Sequence, residues 1–472
     1  DNPRTITFGL MATPTRPMVE DWRRWTTTIR MPEHGHRYID WMMQYWGSDT
    51  SWANRYPRNR DLSVLDKMAA VRRGEKVDWE AYLAEFKARN YAEGMREGWK
   101  KEEQVMSLIG LMIKPGGWMT HGPWRDRDNI GFAYYEEMIA CNPLHEEFQV
   151  YGDEWTGSFG RRVAISAMVD SYRDFGVWYG REFLKRGFGL YFDNVFPERT
   201  HDPVTTDAYP IGYADERLGW DGERIQPGCR LWNVRDYLRR HWVVSRTHGA
   251  EEFTVGTYVH MTNTDIAPWL TYADVILDME YPLYNQPRQK WFKPSMLRAA
   301  CFGRRTGSIP TAFTHIGGPN KTMTVDEIDR TRFGVLMTHE IRPSFVSGHG
   351  KGNKAKASRK LYSKLARLGY GSKDCTVWNY WQDGYPVTAS DPQAKSLLFR
   401  HDGQLVLLVC TWNPAPATVT FTVEPKTAGI NPALAVNAEH PKQTSAITEG
   451  EFKLSIPGYG VKMLILKPQA DS

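Results

Sequence analysis

From residue 6 to about residue 381, short apolar runs alternate with stretches of helical periodicity, and this order constrains the fold more than any other feature of the sequence. Parallel strands cannot be joined by tight hairpins; they need crossover connections, most often helices. The runs expected as strands are 6–13 (ITFGLMAT), 38–46, 107–113, 189–195 (GLYFDNV), 254–260, 273–279 (ADVILDM), 308–315 and 375–381 (CTVWNYW). Helices are expected over 18–29, 161–186, 231–248, 287–302, 324–340 and 354–368. This succession predicts an α/β fold, a (β/α)8 TIM-type barrel. Two connections are long: a charged, helix-forming stretch over 62–104 after the second strand, and a loop-like stretch over 114–160 after the third. From about 386 the helical pattern stops. Strands are expected at 396–400, 404–412, 417–423, 451–456 and 461–466, with short turns such as His401-Asp402-Gly403. The expected domains are a catalytic barrel over 1–385 and a small antiparallel β-sandwich over 386–472.

A chain of 472 residues suits a barrel of about 250 residues or more with an appendage. Aromatic residues are in excess, with 19 Trp, 23 Tyr and 19 Phe. Many must be core, yet Trp118, Trp124 and Trp155 fall in loop-like contexts. Exposed indoles stack on the C–H faces of sugars, so the excess favours a carbohydrate partner. The net charge of +5 is mild, and no basic stripe interleaved with aromatics is present, which argues against nucleic acid. The basic run Lys351, Lys354, Lys356, Arg359 and Lys360 lies among Gly, Asn and Ser and reads as a solvated loop and helix start. A modest positive balance also suits an anionic polysaccharide. No segment reaches the roughly 20 apolar residues of a membrane span, so no membrane partner is expected. The chain opens at Asp1 without Met or a basic-then-apolar leader, which fits either a removed signal peptide or a piece of a longer protein; a secreted or periplasmic location is the expectation. Cys141, Cys229, Cys301, Cys375 and Cys410 are odd in number and lack metal-ligand spacing. The pair His34-x-His36 precedes the second strand, at the wrong end of a barrel for catalysis. No metal and no cofactor are expected.

Barrel enzymes build their sites at the C-terminal ends of the strands, so the polar residues that end the apolar runs are the candidates. The fourth run ends in Asp193-Asn194, and an unpaired carboxylate after Gly-Leu-Tyr-Phe is costly as core. The sixth runs into Asp278-Met279-Glu280; residues two apart share one side of a strand, with Glu280 favoured for chemistry and Asp278 for support. Tyr258, His260 and Asn263 end the fifth run and His315 ends the seventh; these are expected to hold substrate hydroxyls. Trp378, Tyr380 and Trp381 form either a sugar platform or a plug between barrel and sandwich. The loop after the third run adds Trp118, His121, Trp124, Arg125, Asp153, Glu154 and Trp155, and long loops in compact domains are often functional. Glycoside hydrolysis needs one protonated carboxyl to donate to the leaving oxygen and one ionised carboxyl to attack or to activate water. Asp193 is assigned as nucleophile or base and Glu280 as acid, its pKa raised by a dry aromatic pocket.

The segments TFGLMATPTRPMVEDWRRW, GLYFDN, VHMTNTDIAPWLTYADVILDMEYPLY and VWNYWQDGYPV resemble bacterial glycoside hydrolases related to glycoside hydrolase family 123, whose established members are β-N-acetylgalactosaminidases. The resemblance spans about 5–466 and implies a barrel with Asp193 and Glu280 at its mouth. In such proteins an N-terminal β-sandwich often precedes the barrel. The sequence departs from the family at one place: the family's N-acetylhexosaminidases use an adjacent Asp-Glu pair, whereas the fourth run supplies Asp193-Asn194. Asp153-Glu154 is the nearby pair of that kind, and the galactosaminidase activity is not carried over.

Two other functions fit these residues. In a polysaccharide lyase acting on uronic-acid chains, His260 or Tyr258 would abstract a proton while His121 or Arg125 neutralised the carboxylate. A non-catalytic carbohydrate-binding barrel would use the aromatics alone. In every case the expected partner is an oligo- or polysaccharide, anionic or containing amino sugars.

Overall fold

The computed structural model describes residues 8–26, 170–193, 195, 231–249, 256–260, 266–281, 286–300, 303–314, 323–343 and 356–468. It also describes shorter stretches at 37–38, 41–45, 66–67, 69–70, 73–78, 81–82, 85, 141–142, 147–148, 150–151, 162–163, 209–210, 214–215, 220–221 and 225–226. The chain divides into two compact units, one of Ile39–Val275 and one of Asp1–Tyr38 with Ile276–Ser472.

In the unit of Ile39–Val275, strands β1 (Trp41–Tyr45), β2 (Gly189–Asp193) and β3 (Thr257–His260) lie in the order β1-β2-β3, and both pairings are parallel. Helix α1 (Asp170–Lys185) leads into β2 and α2 (Leu231–Thr247) precedes β3, the crossover order parallel pairing requires. The expected helix over 161–186 starts later than its pattern suggested, because Arg162–Val163 is extended and pairs antiparallel with Val150–Tyr151. Its end matches expectation. Gly187 takes φ 81°, and Gly187 N and Phe188 N donate to Leu184 O and Phe183 O, a Schellman closure. The starts of the strands are pinned by buried Asp274, which accepts from Thr257 N at 2.9 Å and from both terminal nitrogens of Arg246.

The other unit contains β4 (Val275–Tyr281, from Ile276), β5 (Ile309–Thr314) and β6 (Arg342–Pro343), in the order β4-β5-β6, with β5 and β6 parallel. The expected helix over 287–302 is broken into a 3-10 turn at Arg288–Lys290 and α4 (Pro294–Ala300), α3 being the short Ala267–Leu270; Pro294 lacks the N–H that would continue a single helix. Helix α5 (Val325–Met337) opens with a capping box, Glu327 N donating to Thr324 Oγ1 and Thr324 N to Glu327 Oε2. Helix α6 (Lys356–Arg367) keeps Lys356, Arg359 and Lys360 of the basic run on its exposed face. Buried Asp329 ties the two helices, accepting from Ser358 N and Ser358 Oγ at 2.7 Å each.

After α6 come β7 (Thr376–Asn379), β8 (Val387–Ala389), β9 (Ala394–His401), β10 (Gln404–Thr411), β11 (Ala417–Val423), β12 (Pro432–Asn437), β13 (Thr444–Ala446), β14 (Glu451–Ile456) and β15 (Val461–Pro468). They form a six-stranded antiparallel sheet, β7-β9-β10-β15-β12-β13, and a three-stranded one, β8-β11-β14. The strand expected as the barrel's eighth therefore belongs to this antiparallel sheet: β7 pairs with β9 through Thr376↔Arg400 to Asn379↔Leu397. The turn between β9 and β10 carries positive φ at Asp402 and Gly403, the geometry a two-residue hairpin loop demands.

The six-stranded sheet is covered on both faces. Along β10, Leu405, Leu407 and Val409 pack in the sandwich core with Val419, Phe421 and Phe452. The alternate residues Val406, Leu408 and Cys410 pack with Phe333 and Leu336 of α5 and Leu361 and Leu365 of α6. A strand buried on both sides reads as a continuous apolar run, which is what Leu405–Cys410 is. Helix α5 comes so close that a Cβ on Gly334 would lie 2.4 Å from Val461 Cγ2. Gly334→Ala gains up to about 1 kcal/mol of helix propensity and loses about 1–3 kcal/mol to overpacking. Urea unfolding is expected to show a net loss; a variant as stable as wild type would contradict this packing.

The first expected strand and helix are corrected. Residues 8–13 contain no strand, Phe8 and Leu10 are largely exposed, and among the described residues no strand pairs with their backbone. Of the helix expected over 18–29, the described residues 18–26 form a 3-10 turn at Trp22–Arg24, followed by Trp25–Thr26 paired in parallel with Arg37–Tyr38. Asp21 sits at φ 55°, which interrupts right-handed helix, and the segment is drawn extended by hydrogen bonds from Thr15 N to Arg305 O and from Arg342 to Trp22 O.

Candidate functional site

The best-defined site residues lie at the C-terminal ends of β2 and β3. Phe192 packs on the helix side, its ring 4.9 Å from His241 and 6.0 Å from Tyr237, both on α2. Side chains alternate along a strand, so Tyr191 takes the face turned away from α2, and the pairing Tyr191↔Tyr258 puts Tyr258 and His260 on that face too. One register step beyond Val259↔Phe192, position 193 stands beside position 260, and Val195 N donates to His260 O at 2.8 Å.

Tyr191 Oη lies 3.0 Å from His260 Nδ1, and the Tyr191 and Tyr258 rings meet edge to face at 5.0 Å. Tyr191, Tyr258 and His260 are 4%, 2% and 4% exposed. A buried phenol and imidazole at a strand end would be expensive unless hydrogen-bonded, and here they satisfy each other. Tyr258 and His260 were identifiable from the sequence. Tyr191 was not singled out, although its position two residues before Asp193 in Gly-Leu-Tyr-Phe-Asp was the available signal.

Asp193 is the last residue of β2, where it pairs with Tyr45 of β1. Asp278 and Glu280 are alternate residues near the end of β4, which belongs to the other unit from Ile276 on. Trp118, His121, Trp124, Arg125, Asp153, Glu154, Trp155, Asn194, Asn263 and His315 lie outside the described residues. Trp378, on β7, packs against the sandwich core with Arg400 over its ring. Trp381 stacks on His339 at 5.4 Å, and Tyr380 Oη lies 2.8 Å from His339 Nε2. Burial pushes His339 down to about 4, with the nearby Arg298 and Lys395 charges adding to it against the hydrogen bond to Val335 O. It therefore enters this aromatic stack as a neutral ring at physiological pH.

A second polar cluster lies before the strands begin. Glu340 accepts from Arg23 Nε at 2.5 Å, Arg23 Nη2 at 3.0 Å, Tyr370 Oη at 2.9 Å and Arg304 Nη2. Arg304 also donates to Asn379 Oδ1 at 2.8 Å. Arg304 precedes β5 and Arg342 opens β6, so this cluster lies at the N-terminal ends of β5 and β6. Among the described residues, no group of His, Cys, Asp and Glu is arranged to hold a metal ion. Also among these residues, no helix is long and apolar enough to cross a membrane.

No protein-family model matches the chain, and no curated protein matches it. The solved structures it is similar to are glycoside hydrolases. One is a GH27 β-L-arabinopyranosidase from Geobacillus stearothermophilus, 9% identical, covering 72% of this chain and 68% of that one with a TM-score of 0.42. Another is α-galactosidase I from Mortierella vinacea, 11% identical, covering 68% and 76% with a TM-score of 0.36. A GH30 subfamily 8 xylanase from Clostridium acetobutylicum is 9% identical, covering 68% and 76% with a TM-score of 0.34. At these scores the likeness decides neither fold nor chemistry.

Proposed function

We propose that this protein is a glycoside hydrolase in which parallel strands close into a (β/α)8 barrel and Asp193 and Glu280 do the chemistry. The observation that carries the reading is the end of β2 and β3: Asp193 closes a strand beside His260, at the end of a face lined by buried Tyr191 and Tyr258. A carboxylate-bearing residue at such a strand end supports a role in binding or chemistry, since ligands are commonly met at the C-terminal ends of parallel strands. Glu280 is the residue before the last of β4. In this reading Asp193 is ionised and acts as nucleophile or base, and Glu280 donates the proton to the leaving oxygen. His260 and Tyr258 hold sugar hydroxyls, and the substrate is a poly- or oligosaccharide, anionic or containing amino sugars.

Tyr258 and His260 on one face of β3 also support one second reading, a lyase in which one of them abstracts a proton from a uronic acid. The two differ in their products. Incubation with neutral, amino-sugar and uronic-acid polysaccharides, following reducing ends and ultraviolet absorbance together, is expected to release reducing ends without absorbance. Absorbance rising in step with the reducing ends would replace the hydrolase by the lyase.

A further inference from the structure

We propose that Arg342 binds a small monovalent anion of chloride's size against its Nε and Nη1 groups. Arg342 opens β6 and is 5% exposed. A guanidinium cannot be deprotonated in a protein, so a buried one cannot escape the cost of its charge by losing a proton. It needs a counter-charge and acceptors for its N–H groups. Nη2 donates to Trp22 O at 2.7 Å. Nε and Nη1 have no acceptor in hydrogen-bonding geometry among the described residues. The Tyr362 oxygen touches Arg342 outside the geometry of a bond to either group. Burial raises the Tyr362 pKa, so this phenol is neutral and supplies no counter-charge.

Glu340, two residues away, is already committed. Its Oε1 accepts from Arg23 and Tyr370 and its Oε2 from Arg23 and Arg304. Among the described residues no carboxylate pairs with Arg342. Arg23, Arg342 and Arg304 stand 4.6, 5.0 and 5.5 Å from the centroid of the Trp22 ring, which concentrates positive charge there. Asn379, 0% exposed and joined to Glu340 through Arg304, adds Nδ2, another buried donor without an acceptor among the described residues. The cluster is rich in donors and short of negatively charged acceptors, which is what an anion supplies. A monovalent ion suits a site this buried better than a doubly charged oxyanion, whose desolvation costs more. The side chains of Arg23 and Arg304 are 26% and 21% exposed, so the rim of the cluster meets solvent. Bound there, the ion neutralises the residue that ties the start of β6 to the backbone of Trp22.

The test is thermal unfolding of the full chain at fixed pH and ionic strength, with sodium chloride replacing the sodium salt of a bulky sulfonate. A ligand bound by the folded state alone raises the midpoint with the logarithm of its concentration once the site fills. For a unit of this size the expected rise in wild type is about 3–5 °C per tenfold of chloride. Arg342→Met, which keeps an unbranched apolar stem without the charge, is expected to show no such rise. A wild-type midpoint indifferent to chloride overturns the proposal, as does an equal rise in Arg342→Met. Should the variant misfold, crystals of the wild-type chain grown with sodium bromide decide the matter. Anomalous scattering is expected to place bromide within hydrogen-bond reach of Arg342 Nε or Nη1, and a water molecule in that place overturns the proposal.

Discussion

Replacing Glu340 with Gln is expected to destabilise its unit by about 3 kcal/mol, the low end of the cost of breaking a buried ion pair, because Arg23 and Arg304 are only half-buried. The position makes this a sharp test. Ile341 N donates to Leu336 O and Glu340 N to Met337 O, so α5 ends in a Schellman closure with Glu340 at the left-handed residue, φ 57°. The equivalent residue after α6 is Gly369, at φ 95°. A side chain in that conformation costs of order 1–3 kcal/mol. What offsets it is the carboxylate, 1% exposed, which accepts from Arg23, Arg304 and Tyr370. Glu340→Gly relieves the backbone and loses the ion pairs, so it too is expected to be less stable than wild type. Burial alone would push the Glu340 pKa up; the charges and hydrogen bonds of Arg23 and Arg304 outweigh it and hold the group down to about 2. With the folded pKa below the unfolded one, this contribution is fully present above about pH 4.5 and is lost as the pH falls towards 2. A lowering of that size corresponds to about 3 kcal/mol. Denaturant unfolding at pH 7 and pH 3 is expected to show a smaller acid loss in Glu340→Gln than in wild type. A Gln variant within about 1 kcal/mol of wild type at pH 7 would mean that the pairs contribute little.

Asp193→Asn and Glu280→Gln are each expected to lower the rate of glycan cleavage by about 10²- to 10⁴-fold, the usual range for removing a positioned acid or base. Asn and Gln keep the size and shape of the side chains they replace, so the unfolding midpoint is expected to stay where it is. The two variants should part company on an aryl glycoside with a good leaving group. Such a bond breaks without proton donation, so Glu280→Gln retains more of its rate there, while Asp193→Asn remains impaired. Equal losses on both substrates would remove the acid role from Glu280.

The parts of the fold that could be read from sequence are those where one local signal dominates. Helices α2, α5 and α6 and strands β2, β10, β11 and β14 form within a few residues of their expected bounds, because their apolar period agrees with their burial. The hairpin at Asp402-Gly403 and the stop at Gly187 were legible because only residues tolerant of positive φ serve there. What failed depended on partners distant in sequence. Residues 8–13 have a strand's composition, and among the described residues no strand pairs with them. The strand at Thr376–Asn379 has the look of a barrel strand, and its sheet is decided by residues 397–400. Glu340 was invisible because its three partners come from positions 23, 304 and 370. In the site, Tyr258 and His260 were legible as polar ends of an apolar run. Tyr191 was not, since an aromatic residue inside such a run looks like core until its hydroxyl is seen against an imidazole.

The most direct measurement compares wild type and Asp193→Asn on a polysaccharide that the wild-type protein cleaves, following new reducing ends over time. Wild type is expected to release them, and folded Asp193→Asn is expected to release them at least about 100-fold more slowly. Cleavage by Asp193→Asn at the wild-type rate would contradict the assignment and move the chemistry to other carboxylates, Asp153 and Glu154 first.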